Sequence, residues 1–114
     1  MTRYLLDTNI LIDFSQRLEP NYSRLLAMIA NGEALSVCDV VIAEYFAGLL
    51  PARRSDWSAF FRRFELLAAG REASARSGMY RYEFARRGIT LSLADSLIAA
   101  TAHEHARIRP ALDQ

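Results

Sequence analysis

Apolar positions in this chain come in two forms, short solid blocks and helical spacing. The first block, Tyr4 to Ile12, is apolar except for Asp7, Thr8 and Asn9. It reads as a strand in the buried centre of a parallel sheet. Asp13 to Pro20 reads as a short helical turn followed by a loop. From Tyr22 to Ala30, residues Leu25, Leu26, Met28 and Ile29 recur at helical spacing, and Asn31-Gly32 closes that helix. Ala34 to Cys38 is a second short strand. Asp39 suits the N-cap of a helix from Val40 to Leu49, which is apolar on nearly every face and carries one charge, Glu44.

The next helix starts near Arg53 and sets Trp57, Phe60, Phe61 and Phe64 on one broad face, with Arg62 and Arg63 opposite; Gly70 breaks it. A long helix from Arg71 to about Arg87 ends at Gly88. Ser92 caps a last helix, Leu93 to about His105, whose only early charge is Asp95. The tail from Ala106 contains Pro110 and has weak strand character. Strands alternate with helices, without repeats, low-complexity tracts or a linker, so residues 1–114 are expected to form one α/β domain.

Composition narrows this picture only a little. The apolar fraction is 52% and the charged fraction 24%, ordinary for a globular domain, and a net charge of +1 gives no global field toward nucleic acid or membrane. All fourteen basic residues are Arg. Arg suits phosphate recognition, although a GC-rich genome produces the same bias. The lone Cys38 excludes an internal disulfide and reads as a small core residue in a reducing cytoplasm. No signal peptide and no run of the ~20 apolar residues that span a bilayer is present, so no membrane role is expected.

Three carboxylates stand out. Asp7, Glu44 and Asp95 each sit alone in an apolar element, and no cation lies three or four positions from Glu44 or Asp95. Each has a local explanation. Asp7 can be a turn residue, Asp95 stands at capping-box spacing from Ser92, and Glu44 can lie on a solvated face. Together they invite another one. Ligands collect at the carboxyl ends of parallel strands, and all three acids can converge on a cleft there. A ring of hard oxygen ligands suits magnesium or manganese rather than zinc.

The ordered set Asp7-Thr8-Asn9-Ile10-Leu11-Ile12, Ala43-Glu44 and Ala94-Asp95-Ser96-Leu97-Ile98-Ala99-Ala100-Thr101-Ala102 resembles the PIN-domain family, and within it the VapC-type toxins of bacterial toxin–antitoxin pairs. The resemblance runs to about His105. It implies an α/β/α sandwich with a central, mainly parallel sheet and flanking helices. It implies a ribonuclease in which Asp7, Glu44 and Asp95 hold Mg2+ or Mn2+, with Thr8 and Asn9 supporting them. The reaction implied is hydrolysis of RNA phosphodiesters by metal-activated water, with no protein nucleophile. Ser92, Ser96, His103 and His105 are read as structural. A cognate antitoxin and a homodimer are the partners implied, in the cytoplasm.

The chain departs from that pattern at Arg107 to Gln114, where Pro110 and two Arg stand in place of an apolar strand. A C-terminal strand is therefore expected to be missing or altered. Asp113 falls near the family's fourth acid and is the fourth candidate catalytic residue. Arg53, Arg54, Arg62 and Arg63, with Arg86 and Arg87, are either phosphate contacts or a solvated face. The Trp57 to Phe64 face is either core or a groove for a partner's helix. Two other functions remain open: a PIN-fold RNA-processing nuclease without an antitoxin, and an inactive PIN-like protein-binding module. A carboxylate phosphatase would need a Lys, and the chain has none.

Overall fold

The computed structural model describes residues 3–105 and the backbone of residues 108–110. Asp113 lies outside the described residues. The expected strand from Tyr4 to Ile12 is split in two. Strand β1 is Arg3–Leu6, Asp7 is an N-cap, and helix α1 is Thr8–Ser15. A continuous apolar block fits a buried strand or a buried helix equally well. The cap decides between them: Asp7 Oδ1 accepts from the Ile10 amide at 2.9 Å and satisfies a donor of the first helical turn.

The chain continues as α2 (Asn21–Ala30), β2 (Ala34–Cys38) and α3 (Asp39–Ala47), then a 3-10 turn (Pro51–Arg53) and α4 (Arg54–Phe61). Helix α3 starts at Asp39, one residue before the expected start, and Asp39 Oδ1 accepts from the amides of Val40 and Ala69 at 2.9 and 3.2 Å. Strand β3 (Glu65–Leu67) was not expected; the residues after Phe61 were read as helix as far as Gly70. It is followed by α5 (Gly70–Arg86), α6 (Leu93–Glu104) and β4 (Ile108–Pro110). Ser92 caps α6 as expected, its hydroxyl accepting from the Asp95 amide at 3.0 Å.

The four strands form one parallel sheet in the order β3-β2-β1-β4. The expected alteration of the C-terminal strand takes the form of a three-residue edge strand, with Pro110 in register with Leu5. An edge position tolerates the missing proline amide. Crossovers between parallel strands are right-handed as a rule, which sets the β1–β2 and β2–β3 connections over one face and the β3–β4 connection over the other. The result is an α/β/α sandwich. The chain steps from β1 to β2 to β3 in one direction, and β4 then joins the other side of β1. The carboxyl end of β1 is therefore the topological switch point, where open sheets bind ligands.

The core gathers Leu5, Leu6, Val37 and Cys38 from the strands against Ile10, Leu11, Leu25 and Val41 from the helices. Trp57 and Phe61 are buried, and Phe60 and Phe64 pack against them, so the aromatic face of α4 belongs mainly to this core. Cys38 is fully buried and burial pushes its thiol pKa up, which suits an inert core residue. Helices α5 and α6 pack as a hairpin, joined by an Arg76 Nε–Glu104 Oε2 pair at 2.6 Å and a buried Ser77–Ser96 hydrogen bond at 2.7 Å. Among the described residues, no helix is long and apolar enough to cross a membrane.

Candidate active site

The switch point is occupied by Asp7. One carboxylate oxygen, Oδ1, is held by the Ile10 amide of α1, which leaves Oδ2 without that constraint. Thr8 follows it directly, and Thr8 Oγ1 donates to Glu44 Oε1 at 2.6 Å. That bond brings α3 to the start of α1, so Asp7, Thr8 and Glu44 share one corner of the fold. Glu44 is exposed, beside the buried Val41 and Tyr45 of its own helix. Asn9 is exposed in the first turn of α1.

Asp95 lies on α6, which packs against α3. Thr101 of α6 lies against Cys38 at the carboxyl end of β2, with their Oγ1 and Sγ atoms 3.6 Å apart. At 1.5 Å per residue, Asp95 stands about 9 Å further along α6, on the side that leads away from β4. Asp95 shares a helical face with Ile98 and Ala102, both packed against the core. It is exposed. Its amide is capped by Ser92, but among the described residues its carboxylate returns no bond to the Ser92 amide, so only half of the capping box forms.

Among the described residues none of these three acids has an ion-pair partner; the two ion pairs there are Arg3–Glu65 and Arg76–Glu104. Three hard carboxylates without cationic partners fit Mg2+ or Mn2+ in donor type. Among the described residues no three acidic, His or Cys side chains are already gathered at one ion's distance. Glu44 and Asp95 are exposed, so their side chains have room to turn toward an ion.

Next to Glu44 lies a cavity of about 420 Å³. Ser15 and Gln16 of α1, Glu44 and Tyr45 of α3, Arg53 of the 3-10 turn and Trp57 of α4 line it. Arg53 was expected only as part of a basic cluster, and Gln16 carried no expectation. No local signal marks Gln16, because its role depends on the turn that ends α1. The remaining clustered cations Arg54, Arg62, Arg63, Arg86 and Arg87 are exposed. Arg86 stacks over Tyr82 at 4.2 Å from the ring centroid. A second, apolar depression of about 310 Å³ lies by Phe46, Phe64 and the exposed Leu66.

A family model described as PIN domain matches residues 4–109. The chain belongs to the PIN-domain family. Comparison with curated proteins yields no match. Among solved structures, the PIN fold of this chain is similar to VapBC from Salmonella typhimurium, solved bound to DNA, with a TM-score of 0.74 and 26% identity over 95% of this chain and 83% of that one. It is similar to FitAcB from Neisseria gonorrhoeae, with a TM-score of 0.68 and 25% identity over 93% and 84% of the two chains. VapBC2 from Rickettsia felis, solved with a promoter DNA fragment, shares the fold at a TM-score of 0.74 and 22% identity over 94% and 84%. The structural neighbours of this PIN domain are thus toxin–antitoxin complexes.

Proposed function

We propose that this PIN domain is the toxin of a toxin–antitoxin pair, a metal-dependent endoribonuclease that acts in the cytoplasm as a homodimer. One observation carries the reading. Asp7 and Glu44, joined through Thr8, stand at the sheet's switch point without cationic partners among the described residues. The VapBC and FitAcB likeness supplies the toxin–antitoxin context.

In this reading Asp7, Glu44 and Asp95 hold Mg2+ or Mn2+, and Asp113 is the fourth acid of the set. When bound, the ion supplies charge neutralisation at the phosphate and a lowered pKa for the attacking water. The protein's own work is orientation. The Ile10 amide holds Asp7 Oδ1 and the Thr8 hydroxyl holds Glu44 Oε1, which leaves the second oxygen of each carboxylate for the ion. Removal of one such ligand charge weakens the site without unfolding it.

The test is cleavage of a mixed RNA pool by purified protein with Mg2+, with Mn2+ and with a chelator. It is repeated for Asp7→Asn, Glu44→Gln and Asp95→Asn, and in the presence of the protein encoded by the neighbouring small gene. The expected result is cleavage that needs the ion, falls at least about 100-fold in each variant and stops on addition of the neighbour's product. Equal cleavage by the variants overturns the site. No cleavage by the intact protein makes the domain a binding module. Cleavage indifferent to any neighbour's product makes it an RNA-processing nuclease.

A further inference from the structure

We propose that the cavity beside Glu44 receives one nucleobase of the substrate RNA, next to the bond that is cut, and so sets the sequence preference of cleavage. The proposal rests on the ribonuclease reading of the same cleft. Its volume of about 420 Å³ lies within the range of small-ligand sites. Its lining divides by burial. Tyr45 and Trp57, 8% and 7% exposed, form an inner aromatic wall with ring centroids 4.6 Å apart. Ser15, Gln16 and Arg53 are exposed and face the solvent side.

That arrangement matches the chemistry of an unstacked nucleotide. Single-stranded RNA is read by burying a splayed base against aromatic surface and bonding its edge. The Gln16 amide offers both a donor and an acceptor to such an edge. The Ser15 hydroxyl gives its proton to the Ile12 carbonyl at 2.7 Å, so it faces the cavity as an acceptor. The Arg53 guanidinium has no ion pair among the described residues and suits the nucleotide's phosphate. Glu44 belongs to the cavity wall and to the proposed ion site, so the base held here flanks the scissile phosphate. A partner's amphipathic helix is a poorer occupant, because it seeks a continuous apolar groove. Here Ser15, Gln16, Glu44 and Arg53 interrupt the apolar lining.

Gly48 gives a direct test. It lines the same cavity, its φ is −101°, and a Cβ built there meets nothing within 4 Å. A side chain at this position meets open space beside the cavity without backbone strain. The experiment cleaves a randomised RNA pool with the full chain and maps every cut by sequencing the fragment ends. Wild type, Gln16→Ala, Arg53→Ala and Gly48→Leu are compared, with thermal melting of each. The expected result is a wild-type preference at one position beside the cut. Gln16→Ala relaxes it about 10-fold, Gly48→Leu abolishes it and raises KM, and Arg53→Ala raises KM without changing the preference. The ion concentration for half-maximal cleavage stays the same in all four. Should Gly48→Leu fail to fold, the exposed Gln16→Ala decides alone. An unchanged preference in Gln16→Ala and Gly48→Leu overturns the proposal while leaving the ribonuclease reading intact. A Gly48→Leu variant that cuts like wild type but escapes inhibition by the neighbouring gene's product makes the cavity a protein-docking site, which also overturns it. A wild-type protein that cuts no RNA overturns both readings.

Discussion

Thr8 donates its hydroxyl to Glu44 Oε1 at 2.6 Å, linking the first helix to the third across 36 positions of sequence. The bond lies near the surface, so its share of stability is small, about 1 kcal/mol or less. Its larger effect is on carboxylate orientation, and partners that orient a metal ligand typically change metal affinity by about 10–100-fold. Thr8→Val keeps the shape and loses the hydroxyl. It is expected to raise the Mg2+ needed for half-maximal cleavage by that factor, while Thr8→Ser stays near wild type. A titration in which Thr8→Val matches wild type removes Thr8 from the supporting role.

Asp7 has two jobs that substitution can separate. Its carboxylate caps α1, and a cap lost to Ala costs about 1 kcal/mol, whereas Asn caps as well as Asp. Asp7→Ala is therefore expected to melt about 5 °C below wild type, and Asp7→Asn close to it. Both are expected to be inactive, because both lose the charge. An Asp7→Asn protein that melts as low as Asp7→Ala would mean that the charge, not the cap, stabilises this end of α1.

Legibility in the sequence follows how local the physics is. The start of α6 was readable because Ser92 satisfies an amide three residues away, and the end of α5 because Gly88 adopts a φ of 77°. The boundary at Asp7 was not, since apolar spacing cannot separate a buried strand from a buried helix. Strand β3 was invisible because it is three residues long at a sheet edge, with Glu65 and Leu66 exposed and only Leu67 buried. In the site, the isolation of Glu44 and Asp95 followed from residues three and four positions away. The meeting of Gln16 with Arg53 and Trp57 depends on how α1, α3 and α4 pack, which no local pattern encodes.

Arg17 ends α1 in a strained form. Its φ is 56°, and the amides of Arg17 and Leu18 return to the carbonyls of Phe14 and Asp13 at 3.2 and 2.8 Å. This is the Schellman arrangement, in which glycine is the usual residue. A left-handed conformation costs a side-chain-bearing residue roughly 1–2 kcal/mol, partly offset for glycine by its greater freedom when unfolded. Arg17→Gly is expected to stabilise the protein by about 0.5–1 kcal/mol, and Arg17→Ala to leave it unchanged. Denaturant midpoints check this. A lower midpoint for Arg17→Gly would show that the Arg17 side chain contributes more than its backbone strain removes.

The α5–α6 contact carries an asymmetry that mutation can expose. Ser77 and Ser96 are both 1% exposed, with their hydroxyls 2.7 Å apart. Ser96 gives its proton to the Leu93 carbonyl at 2.9 Å, so Ser77 must be the donor between them. Ser77→Ala removes that donor and leaves Ser96 still bonded to its carbonyl, at a cost of about 1 kcal/mol. Ser96→Ala leaves the Ser77 hydroxyl buried without its acceptor, which costs up to about 3 kcal/mol. The double variant removes both groups and is expected to be more stable than Ser96→Ala alone. Urea unfolding of the three variants measures the difference as a coupling energy. Additive losses would mean that the Ser77 hydroxyl turns to another acceptor once Ser96 is gone.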